Sequence, residues 1–137
     1  MKKNVIIAFP LCLVLSVGLI VFGCRKQEIA SNGADPIGMY TLFSVNGSLV
    51  PASIDHEGVS LHFRSGTFII NADSTCSSKT VFVPPAGKEV TREVTATYIR
   101  EGAMLTMQWK GAGITVGTIE GSIFTMENEG MIFVYKK

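Results

Sequence analysis

From Gly38 to the C-terminus the chain is cut by turn signals at nearly regular intervals: Asn46-Gly47, Ser65-Gly66, Ala72-Asp73-Ser74, Pro84 to Lys88, Glu101-Gly102, Gly111 to Gly113, Glu120-Gly121-Ser122 and Glu129-Gly130. Most lie about 8 to 12 residues apart, the spacing of a sandwich or barrel of short strands. The segments between them predict strands at Met39 to Val45, Val59 to Arg64, Thr67 to Asn71, Thr75 to Val83, Glu89 to Arg100, Ala103 to Lys110, Ile114 to Ile119, Ile123 to Glu127 and Met131 to Lys136. No segment carries a helical period. Val59, Leu61 and Phe63 alternate with Ser60, His62 and Arg64, and Leu105, Met107 and Trp109 with Thr106, Gln108 and Lys110, so one face of each strand is buried and the other wet. Hairpin-length connections make the sheet antiparallel. Closing it into an up-and-down barrel of eight or nine short strands removes its edges.

The first 23 residues are of another kind. Met1-Lys2-Lys3 gives a positive start, and Val5 to Phe22 then contains no charge, which predicts an apolar leader helix that directs export. Val21, Gly23 and Cys24 resemble the end of the bacterial lipoprotein signal, from which Phe22 departs. That resemblance implies cleavage before Cys24, a diacylglycerol on its sulfur and anchoring in a bilayer, the outer membrane if the host has one. Two or more acyl chains hold stably where one does not. An uncleaved anchor and ordinary secretion are the alternatives, because Arg25 and Lys26 balance Lys2 and Lys3 across the apolar run. All three place the remainder outside the cytoplasm, in the cell envelope for the anchored forms. The chain thus divides into a leader (1–23), a polar tether (24–36) and a barrel domain (37–137).

Once the leader is set aside, 10 basic residues face 11 acidic ones, a net charge of −1 that gives nucleic acid no reason to bind. Of the 3 cysteines, Cys12 leaves with the leader and Cys24 carries lipid, so Cys76 has no intramolecular partner and is expected to be buried in the sheet.

Gly38-Met39-Tyr40-Thr41-Leu42-Phe43-Ser44-Val45-Asn46-Gly47 and Gly66-Thr67-Phe68-Ile69-Ile70-Asn71-Ala72-Asp73-Ser74 resemble the opening strand and following hairpin of small bacterial lipocalin-like domains, and Gly121 to Tyr135 their closing hairpin and last strand. The lipocalin Gly-x-Trp start is Gly38-Met39-Tyr40 here, and Ser74 stands where the pattern commonly has Gly. The resemblance implies a barrel with an internal cavity and transfers no ligand-contacting residue.

Asp55-His56-Glu57 and His62 are the only concentration of metal-type side chains. The triplet falls in a loop between Pro51 and Gly58 and His62 on a wet face, so a solvated rim accounts for them and no metal or other cofactor is expected. Arg92 shares the parity of Val90, Val94, Ala96 and Tyr98, which turns its guanidinium toward the interior, where it is able to grip a carboxylate; near the start of its strand it is equally able to snorkel to water. Trp109, Met107, Phe68 and Tyr98 complete the expected ligand-binding set, with Leu105, Ile70, Phe124, Met126 and Phe133 in support, although a barrel of eight strands is just wide enough to be filled by such side chains. Two histidines without an evident nucleophile give catalysis little footing. The expected function is non-catalytic binding of a small apolar or amphipathic molecule by a membrane-tethered barrel. The alternative is a protein-interaction or inhibitor module, with an envelope protein as partner, that acts through the rim loops, especially Val50 to Gly58 and Pro84 to Lys88, over a filled barrel.

Overall fold

The computed structural model describes residues 35–137, so the leader, Cys24 and most of the tether lie outside the described residues. Every regular element in them is a strand: β1 (Gly38–Val45), β2 (Ser48–Leu49), β3 (Ala52–His56), β4 (Val59–Ile70), β5 (Thr75–Val83), β6 (Val90–Glu101), β7 (Met104–Trp109), β8 (Ile114–Glu120), β9 (Ile123–Asn128) and β10 (Met131–Lys136). Neighbours in sequence pair antiparallel from β4 to β10, β10 returns to β1, and β1 pairs β4, which closes a barrel of eight staves. The expected antiparallel barrel is therefore present, with β2 and β3 as additions.

Those additions mend one seam. The 12-residue β4 is longer than β1 and is shared: β1 covers its second half, from Gly38 opposite Ile70 to Thr41 opposite Thr67, while β3 covers its first half, from Ala52 opposite Phe63 to His56 opposite Val59. The segment read from sequence as a loop between Pro51 and Gly58 is thus mostly strand, with Ile54 in the core. Its turn is Glu57-Gly58, where both residues have positive φ (51° and 77°), the conformation of a tight hairpin.

The expected break at Ser65-Gly66 is also corrected. The two predicted strands on either side are one strand, kinked by a bulge between Phe63 and Ser65 that changes which parity faces inward. Phe63 points in before the bulge; Gly66, Phe68 and Ile70 point in after it. Gly66 is there for close approach, since a Cβ on it would come within 3.0 Å of the Leu42 side chain. A second bulge, between Leu42 and Ser44 in β1, buries Ser44 and Val45 together.

The core fills one end of the barrel. Phe68, wholly buried, meets the rings of Phe124 (centroids 4.4 Å apart), Tyr135 (5.5 Å) and Trp109 (6.2 Å), and Tyr40 meets Phe124 edge-on. Gly117 makes room, because a Cβ there would collide with the Phe124 ring. Buried Pro36 lies over this end: the Tyr40 hydroxyl donates to its carbonyl (2.8 Å), and the Lys137 ammonium donates to the carbonyls of Asp35 (2.9 Å) and Ile37. The chain therefore enters the barrel at its packed end.

Candidate functional site: a cavity at the open end

At the opposite end the interior is hollow, with a cavity of about 350 Å³. This lies in the lower part of the range for small-molecule sites, about 300–1,000 Å³. It exists because several inward positions carry small or polar side chains, Ser78 and Thr80 on β5, Val94 on β6 and Thr115 on β8, opposite larger apolar ones, Phe63, Phe82, Met126 and Phe133. Arg92, Glu129 and the Lys110 to Gly113 connection border its mouth.

Tyr135 bounds its inner end. The ring is stacked into the packed core and the residue is wholly buried, while the hydroxyl has no hydrogen-bond partner among the protein's groups. It lies near the hydroxyls of Ser78 and Thr80 without reaching ordinary hydrogen-bond geometry. Burial pushes the phenol up to about 12, with Ser78 and Thr80 moderating the rise. Three hydroxyls therefore gather around the inner end of an otherwise largely apolar space.

Trp109 forms part of the wall. Its indole N–H donates to Thr115 Oγ1 (2.9 Å), whose hydroxyl donates to Asn128 Oδ1 (3.4 Å), so the indole is held in place and its polar edge is satisfied. At the mouth, the Arg92 guanidinium donates to Glu129 through Nη1 (3.2 Å) and Nη2 (3.3 Å), with both side chains about half exposed. Glu129 is delivered by a tight turn with positive φ at itself and Gly130 (52° and 73°).

Of the residues expected to meet a ligand, Arg92 and Trp109 line this cavity. Phe68 and Met107 lie wholly buried in the packed end. Tyr98 serves the β4–β5 turn, its hydroxyl donating to the Asn71 carbonyl (2.7 Å) and its amide to that of Ser74 (2.9 Å). Met126 and Phe133 line the cavity; Ile70, Leu105 and Phe124 belong to the packed end. Sequence reasoning missed Ser78, Thr80 and Glu129, and read Tyr135 only as one of the apolar residues of the last strand. An inward-facing hydroxyl parity on β5, opposite a lone inward Tyr on β10, was the available signal.

The metal-type residues are spread over the outside. His62 Nδ1 shares a hydrogen bond with Ser53 Oγ (2.9 Å), and His56 approaches Glu57 at 4.0 Å. Among the described residues no three His, Cys, Asp or Glu side chains gather closely enough to hold a metal ion. Cys76 is buried on β5, where burial pushes its thiol up to about 11 and keeps it protonated at neutral pH. The cavity itself offers hydroxyls, an indole, an amide and an ion pair at its mouth, groups that hold a molecule and orient it.

Comparison with known proteins adds no relative: no family model matches the chain, and neither a curated protein nor a solved structure matches it. The closed eight-stave antiparallel barrel is compatible with a lipocalin-like fold.

Proposed function

We propose that this chain is a lipocalin-like envelope lipoprotein whose barrel captures a small, largely apolar molecule without transforming it. The observation that carries the reading is the cavity of about 350 Å³ in a barrel that is otherwise tightly packed. Side chains of the sizes found at the packed end would have closed it, and leaving it open sacrifices dispersion contacts and burial. An apolar occupant restores both, at about 25 cal/mol per Å² of apolar surface removed from water. Anchoring through Cys24 suits this role, because residue 35 sits at the packed end, so the mouth is directed away from the side on which the tether attaches.

Native mass spectrometry of the full-length protein, isolated from a bacterial envelope and compared before and after organic extraction, tests the reading. Extra non-covalent mass that leaves on extraction is the expected result, together with a diacylglyceryl mass on Cys24 that stays. A protein that carries no cargo and takes up no apolar probe overturns the carrier role. A second reading, protein binding at the rim, rests on Leu49 (61% exposed), Val59 (42%) and Ile114 (65%), which stand out at strand ends on the mouth side. It predicts a pull-down partner lost on changing Leu49 and Ile114 to Ser.

A further inference from the structure

The wholly buried Tyr135 hydroxyl stands without a partner at the inner end of the cavity. A buried polar group is nearly always paired, and leaving one unpaired costs free energy that an apolar Phe at the same position would avoid. Nothing in the packing of the ring requires the oxygen, since its neighbours Phe68, Phe124 and Phe133 are all apolar. Ser78, itself buried, and Thr80 place two further hydroxyls nearby, each able to donate and accept. The cationic side chains that border the cavity, Arg92 and Lys110, are at its exposed mouth, and Arg92 is already engaged by Glu129.

We propose, building on the carrier reading, that the ligand is an apolar molecule with an uncharged hydroxyl or carbonyl end, bound with that end innermost against Tyr135, Ser78 and Thr80. A charged head is disfavoured there, because burying an ion among hydroxyls without a countercharge is far more costly than burying an alcohol. The apolar body then lies along Phe63, Met126 and Phe133, and the Arg92–Glu129 pair spans part of the mouth behind it. This assigns Tyr135 as the specificity determinant and leaves Arg92 as a mouth residue.

Trp109, the chain's 1 tryptophan, lines the cavity and reports its occupancy by fluorescence. Full-length protein in phosphatidylcholine vesicles is titrated with octane, 1-octanol and octanoate, in the wild type and in Tyr135→Phe, Ser78→Ala and Arg92→Ala. Each probe partitions equally into the vesicles for every variant, so differences between variants report the site. The proposal expects 1-octanol to bind most tightly, Tyr135→Phe to weaken it about three- to tenfold without weakening octane, Ser78→Ala to act in the same direction, and Arg92→Ala to leave it unchanged. Unfolding of Tyr135→Phe at or above the wild-type midpoint shows that the variant is folded. Equal affinity for octane and 1-octanol, with no effect of Tyr135→Phe, overturns the proposal and leaves the carrier reading standing. Preference for octanoate that depends on Arg92 also overturns it, because the head then sits at the mouth. If no probe binds, both fail.

Discussion

The same eight staves make both ends of this barrel, with β3 added beside β4 at the open end, yet one end is solid and the other hollow. At the packed end large rings from β1, β4, β7, β9 and β10 interdigitate, Phe68 with Phe124, Tyr135 and Trp109 and Tyr40 with Phe124, and a glycine at position 117 yields space to one of them. At the open end Ser78, Thr80, Val94 and Thr115 occupy inward positions, and although Phe63 meets the rings of Phe82 (centroids 5.9 Å apart) and Phe133 (5.8 Å), the space beside these small side chains stays open. Whether such a barrel has a core or a pocket is decided by side-chain volume at a few inward positions.

The largest expected effect breaks the packed end. Phe68→Ala removes the ring on which three others rest and should cost about 3–5 kcal/mol in urea unfolding. Phe82→Ala at the open end, where the side chain is only half-buried, should cost less than half as much. Equal losses would mean that the two ends are packed alike.

Adding atoms sharpens the same contrast. Gly117→Ala introduces one carbon against the Phe124 ring and the Thr125 carbonyl, and should cost about 1–3 kcal/mol. Val94→Phe introduces a whole ring into the cavity wall and should change stability by less than about 1 kcal/mol, while abolishing the response of Trp109 to apolar probes.

Alkaline titration comes next. The Tyr135 phenol is raised from 10.0 to about 12, so below pH 10 it remains protonated in both states and its contribution is fully present. As pH rises from about 10 to about 12 the unfolded chain ionises first and stability falls, by about 3 kcal/mol in all for a shift of this size. Cys76, raised from 9.0 to about 11 by burial, adds an earlier limb that begins near pH 9. Unfolding free energies measured across this range should lose the later limb in Tyr135→Phe and the earlier one in Cys76→Ala.

Arg92→Ala should be the mildest change. Its pair with Glu129 is half exposed, and such pairs contribute about 0.2–1 kcal/mol, screened by salt. Unfolding at low and high salt should show a small difference that closes as salt rises. A loss above about 2 kcal/mol would make the mouth a structural part of the barrel.

Most of the strands were legible from the turn signals, and Asn46-Gly47 and Glu129-Gly130 are tight turns with positive φ at both residues, each supplied with a glycine at its second position. Glu57-Gly58 has the same signature, and overlooking it turned β3 into a loop. Ser65-Gly66 looks like a turn and is a bulge, because the same dipeptide also serves close packing beneath Leu42. The parity of Arg92 was read from its neighbours, but its partner was not, since Glu129 is 37 residues away.

The sequence by itself determined the local matters: a domain made of short strands, where most of them begin and end, and which residues of a strand share a face. These follow from turn stereochemistry and from the two-residue period of an extended chain. The tertiary structure alone decided that β1 and β3 divide β4 between them, that two bulges reset the inward parity, and that the volumes facing one another fill one end and leave about 350 Å³ at the other. A cavity is a property of side chains contributed by strands far apart in sequence, so no local pattern encodes it. The unpaired Tyr135 hydroxyl acquires its meaning only when β5 and β10 face each other across that space.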